Sequence, residues 1–138
     1  MFSTLRIQPA QEMKKRIRIC WKKGHVFAIL ENTPTTQAII TILPIKSYAN
    51  TWGDEVYFSV PVSVPLEKDA KQVVDPGAIC FWVEGNSLAL PFGPTPISED
   101  NECRLATACN ILGKIEKEPR ILSSIQSGDQ IKIEKEIV

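Results

Sequence analysis

The residues that could do chemistry in this chain gather in two aromatic-rich stretches, Thr51-Trp-Gly-Asp-Glu-Val-Tyr-Phe-Ser59 and the run from Phe81-Trp82 to Phe92-Gly-Pro-Thr-Pro96. Aromatic walls suit proline rings and flat ligands. Trp52 falls at a turn, where a large indole is hard to bury. Tyr57 alternates with Phe58 and must face the other way. Phe58 and Phe92 also fit a core. Glu55 could accept a hydrogen bond or act as a general base if desolvated, since burial raises a carboxyl pKa. The commoner reading of Asp54 and Glu55 is a pair of turn carboxylates bonded to backbone N–H groups. The candidate ligand-binding set is therefore Thr51, Trp52, Glu55 and Tyr57 from the first stretch. Trp82, Phe92 and Thr95 join it from the second, with Arg104 just beyond.

No catalytic residue emerges from this set. No second acid or histidine stands near Glu55 in sequence to make a dyad, and the single histidine, His25, follows a hairpin turn. Cys20, Cys80, Cys103 and Cys109 lack Cys-x-x-Cys spacing, so zinc is not expected, and nothing resembles a phosphate-binding glycine loop or a nucleophile elbow. Cys103 and Cys109 flank a presumed loop and could meet, which leaves a minor metal or redox alternative. No cofactor is expected. Sixteen basic and sixteen acidic residues give a net charge of zero, so no long-range field draws the chain to nucleic acid or to an anionic membrane. The first residues lack the pattern of a signal peptide, and no run reaches the ~20 apolar residues of a membrane helix. A cytoplasmic protein with reduced thiols is the expectation.

The elements that must position these residues are mostly strands. At 138 residues the chain fits one domain with a single core, preceded by a flexible arm over residues 1–14. Arg16 to Trp21 and His25 to Leu30 alternate as a hairpin across Lys22-Lys-Gly24. Thr33 caps a helix whose first position is Pro34; it is expected to run to about Leu43, with Ala38, Ile39, Ile42 and Leu43 buried. Strand, turn and strand follow over 45–62, bending at Asn50 to Asp54. Leu66 to Pro76 reads as a long irregular loop with a helical turn near Ala70 to Val73. Ala78 to Val83 and Ser87 to Phe92 form a second hairpin. The prolines of Pro91 to Pro96 make a rigid shelf that cannot be an interior strand. Asn101 to Ala108 reads as polar loop, Asn110 to Lys117 as strand, Pro119 to Gln126 as a short helix, and Gln130 to Ile137 as an alternating strand.

Seven or eight strands and two short helices suit an antiparallel barrel, and pattern alone does not separate this from a sandwich. The Thr51 to Ser59 run, the Phe92 to Pro96 run and Asn110-Ile-Leu-Gly113 resemble the signature of a small family of bacterial and archaeal cyclophilin-like proteins whose activity is not established. The likeness extends from about Ile17 to Val138. It implies a mainly β protein: a closed antiparallel cyclophilin-like barrel with two short covering helices over residues 15–138. In true isomerases of this fold an arginine on the outer barrel face hydrogen-bonds near the prolyl amide and eases its rotation. Here the matching strand, Val56 to Val60, holds no arginine, and Arg104 and Arg120 read as surface residues. The leading expectation is a binding module that takes a proline-containing peptide or a small molecule in an aromatic groove. The alternative is a weak peptidyl-prolyl isomerase. A monomer or homodimer is expected, because the charged 66–76 loop and the half-polar last strand blunt edge pairing.

Overall fold

The computed structural model describes residues 14–136, so the expected arm lies outside the described residues except for Lys14. The first hairpin is built as the alternation requires. Strand β1 (Lys15–Trp21) pairs antiparallel with β2 (Gly24–Leu30), setting Ile17 opposite Ala28 and Ile19 opposite Val26. All four are buried, and Arg18, between Ile17 and Ile19, points outward. Helix α1 (Pro34–Thr41) starts where Thr33 accepts the Thr36 N–H at 3.0 Å. It ends earlier than the sequence suggests, with Ile42 as its C-cap. A run of β-branched residues loses rotamer freedom in a helix, so only the part that packing holds stays helical. Ile39 is fully buried, while Ala38, Ile42 and Leu43 lie half-buried against the core.

Strand β3 (Ile45–Tyr48) continues through the two-residue β4 (Asn50–Thr51) to β5 (Glu55–Ser59). The segment expected to be a loop with a helical turn holds strand β6 (Lys71–Val74), and the presumed loop at 101–108 is largely the front half of β9 (Cys103–Ile115). These two pair antiparallel, Val74 opposite Cys103 and Val73 opposite Arg104. Their charged and small residues hide the strand period because one face of the ribbon meets solvent while only Cys103, Leu105 and Cys109 are buried. Strands β7 (Ala78–Trp82) and β8 (Ser87–Pro91) make the second hairpin, and β10 (Gln130–Lys135) is the last strand. The segment Pro119–Ser124 is a 3₁₀ helix, tighter than the expected form, with Leu122 driven into the core.

The strands follow the order β3-β10-β1-β2-β9-β7-β8-β5-β4, with β6 attached to β9. The path nearly closes, since Ser47 of β3 donates its hydroxyl to the Ser59 carbonyl of β5 at 2.6 Å. The result is a nearly closed, mainly β antiparallel barrel with two short covering helices, as expected. Inside are the inward members of each strand, among them Phe58, Ile79, Phe81, Leu88, Leu90 and Leu112. A smaller apolar cluster of Ala78, Cys80, Ala89, Leu105 and Cys109 lies apart from this core. The first three alternate with inward residues, so this cluster sits on the outside of the barrel wall. The last two come from the front half of β9, which folds over that wall.

Candidate functional site

Alternation places the site. On β5, Val56 and Phe58 enter the core, which turns Glu55 and Tyr57 to the outer face. The register then sets Tyr57 opposite Ala89 of β8, and Ala89 opposite Cys80 of β7. Small side chains on the middle strand leave a trough between larger ones. Tyr57 and Trp82 stand over it edge to face, ring centroids 6.2 Å apart and planes at 87°. Trp52 borders it from the turn before β5, where its N–H is held by the Glu55 carbonyl at 2.9 Å.

The opposite wall depends on an irregularity. Between the pairs Val73 with Arg104 and Lys71 with Cys109 the register shifts, so β9 has extra residues that bulge away from β6. Gln72 steadies the bulge by donating its side-chain amide to the Leu105 carbonyl at 3.0 Å. Leu105, Ala106 and Cys109 thereby lean over the barrel face and, with the aromatics and Glu55, enclose a pocket of about 200 Å³. Bulges commonly serve this purpose of redirecting side chains at sites. The tip of the β7–β8 hairpin also contributes: a Cβ on Gly85 would overlap the Trp82 ring, so a residue without a side chain lets the indole lie across its own turn.

Polar chemistry in the pocket is sparse and unusual. Glu55 is only 6% exposed, and its Oε1 is buried without a hydrogen-bond partner. Burial pushes its carboxyl up to about 7, because the charged form gives up solvation with nothing in the protein to replace it. The Trp82 Nε1 is likewise buried and unpartnered. Among the described residues these two atoms are the only buried side-chain groups in that condition, and both belong to residues lining this one pocket. An unpaired buried polar group costs about 1–3 kcal/mol. Neighbouring thiols add no charge: burial raises Cys109 to about 12, with smaller contributions from Glu55 and Glu84, and raises Cys80 well above the ordinary thiol value, with smaller contributions from Cys109, Glu55 and Cys103. Each is protonated at neutral pH. Cys103 and Cys109 are both buried on β9, and all four cysteines are free. Among the described residues no cluster of three metal-ligating side chains occurs.

The pocket unites Trp52, Glu55, Tyr57 and Trp82 from the candidate set. It does not include the other four. Thr51 is exposed on β4. Phe92 belongs to the main core, with the Arg120 guanidinium 5.3 Å from its ring centroid. Thr95 is buried and structural, donating its hydroxyl to the Arg104 carbonyl while its N–H bonds the Ser98 hydroxyl at 2.8 Å. Arg104 lies on β9 and pairs with Glu102 at 2.6 Å, and Arg120 pairs with Asp54 at 2.7 Å. Sequence reasoning missed Ala89, Leu105, Ala106 and Cys109. The alternation of Cys103, Arg104 and Leu105 was a strand signal within a segment that reads as loop.

Comparison with known proteins fits this architecture. The family model described as Cyclophilin-like matches residues 15–134. The solution structure of a hypothetical protein from Archaeoglobus fulgidus is similar, with a TM-score of 0.78 and 34% identity, covering 94% of this chain and 98% of that one. No curated protein matches the sequence. With its family model spanning nearly the whole barrel and its nearly closed antiparallel wall, the chain belongs to the cyclophilin-like family.

Proposed function

We propose that this protein is a binding module that takes a small molecule, or a single side chain of a peptide, in the pocket between the outer barrel wall and the β9 bulge. The observation that carries this reading is the coincidence of two unpartnered buried polar atoms, Glu55 Oε1 and Trp82 Nε1, on residues lining one aromatic pocket. A ligand that bonds either atom offsets a cost the folded chain otherwise bears. At about 200 Å³ the volume lies below the usual 300–1,000 Å³ of drug-sized sites, which favours a compact ligand or one inserted group. The isomerase alternative draws less support. No arginine lines the pocket, and both Arg104 and Arg120 are paired with carboxylates.

The test is a fragment screen followed by NMR through the Trp82 indole N–H resonance. Binders that shift this resonance are expected, and Trp52→Ala with Tyr57→Ala abolishes their effect while the thermal midpoint moves by only a few degrees. Fragments that bind equally well to the double variant overturn the assignment of the pocket. Exchange spectroscopy on an Ala-Pro peptide runs beside it, with no acceleration expected over the uncatalysed rate of tens of seconds; accelerated exchange would restore the isomerase reading.

A further inference from the structure

The pocket has one sign of charge. Glu55 is the only lining residue with an ionisable group outside the thiol and phenol classes, and no lysine, arginine or histidine lines the site. Tyr57 and Trp82 meet at 87° and Trp52 closes the same space, so the carboxyl shares the pocket with three aromatic rings. Ring faces carry negative potential, and a cation over them is attracted all the more when desolvated. The groups facing Glu55 from neighbouring elements do not offset this. Cys80 on β7 and Cys109 on β9 are neutral thiols at pH 7. Cys103 is raised too, by burial first and by Asp54, Asp75 and Glu55 after it. Asp54, next in sequence, spends its charge on Arg120.

We propose that the ligand of this pocket is a small organic ammonium ion, its charge set among Trp52, Tyr57 and Trp82 against the Glu55 carboxylate, and carrying an oxygen that accepts the Trp82 indole N–H. The inference rests on the pocket reading above and adds the ligand class to it. An anion would meet a carboxylate and three aromatic rings, with no lysine, arginine or histidine in the lining to compensate its charge. A neutral apolar ligand would leave Glu55 Oε1 unpartnered. A cation supplies the counter-charge that a buried carboxylate lacks. Binding draws on the ionised form of Glu55, so it releases a proton where that group is still protonated. With the carboxyl at about 7, ionised Glu55 rises about tenfold between pH 6 and pH 8, and affinity follows it.

Choline and 3,3-dimethyl-1-butanol provide the test, because they differ in having nitrogen or carbon at the branched centre and hence in charge. Titrations followed by calorimetry and by the Trp82 indole resonance are expected to show choline binding at least tenfold tighter than the alcohol at pH 8. They are also expected to show about tenfold weaker choline binding at pH 6, and loss of that pH dependence in Glu55→Gln. Equal binding of both probes overturns the ammonium inference and leaves the pocket reading standing. Choline affinity that is flat from pH 6 to pH 8 in the parent protein removes Glu55 from the recognition and overturns the inference as well. Neither probe binding overturns it too, and the fragment screen then decides the pocket reading on its own.

Discussion

Tyr57 and Trp82, on strands separated by β8, meet edge to face with centroids 6.2 Å apart. The pair spans the outer barrel face over Ala89, whose small side chain leaves the space they frame. Their contact joins two elements that share no direct ladder, so the pocket wall is fixed by packing as well as by the sheet.

Trp82 keeps its position because Gly85 carries no side chain. Gly85→Ala puts a methyl group into the indole and is expected to swing the ring out of the pocket. Tryptophan fluorescence shifted to the red, with the far-ultraviolet spectrum unchanged, would show this; an unchanged emission maximum would mean that the hairpin tip adapts instead.

Glu55 makes stability depend on pH with a definite sign. Its folded carboxyl lies at about 7 against an ordinary 4.5, so the folded state holds the proton more tightly. Its contribution is complete below pH 4.5 and is lost as pH rises through 7. The loss comes to about 3 kcal/mol. Urea unfolding of the unliganded protein at pH 4 and pH 8 measures it. Glu55→Gln is expected to be more stable than the parent at pH 8 and to show a shallower dependence; parallel curves for the two proteins would refute this account.

Asn110 anchors α1 and the chain before β6 from inside the fold. It is fully buried, donates to the Thr35 hydroxyl at 2.9 Å and to the Pro65 carbonyl at 3.0 Å, and accepts the Glu67 N–H at 2.7 Å. Asn110→Ala leaves several of these groups unpaired and is expected to cost about 2–4 kcal/mol. Chemical denaturation checks this. A loss under 1 kcal/mol would show that the loop relaxes to solvent.

Gly113 lies in β9 opposite Leu30 of β2. A Cβ there would fall on the Ile29 carbonyl oxygen, a backbone atom that can yield only by breaking the ladder. Gly113→Ala is expected to prevent accumulation of folded protein or to lower the thermal midpoint by more than 10 °C, on the order of several kcal/mol for a domain this size.

Thiol chemistry supplies an independent check on the outer cluster. Cys80, Cys103 and Cys109 are buried and their thiols raised above the ordinary value, so a disulfide reagent at pH 7.5 should leave these three unmodified in native protein and react with them after denaturant is added. Rapid native modification of any of the three, located by mass spectrometry, would show that the β9 cover opens.

Elements with local signals are legible in the chain before any folding is considered. Alternation at Arg16 to Trp21, Thr33 and Pro34 at a helix start, and the polar turn at Lys22 and Lys23 each express a preference that a few neighbours can satisfy. The same alternation turned Tyr57, and with it Glu55, away from the face that Val56 and Phe58 bury. Tertiary structure alone decided the rest. Arg104 and Thr95 look available in sequence but are spent on local bonds, while Phe92 was drawn into the core. Strand β6 and the front of β9 pair across a register shift with one face in solvent, so neither shows a full hydrophobic period. Glu55 reads as a turn carboxylate until the bulge from β9 covers it. Its burial is set by residues some fifty positions away, which no local pattern can encode.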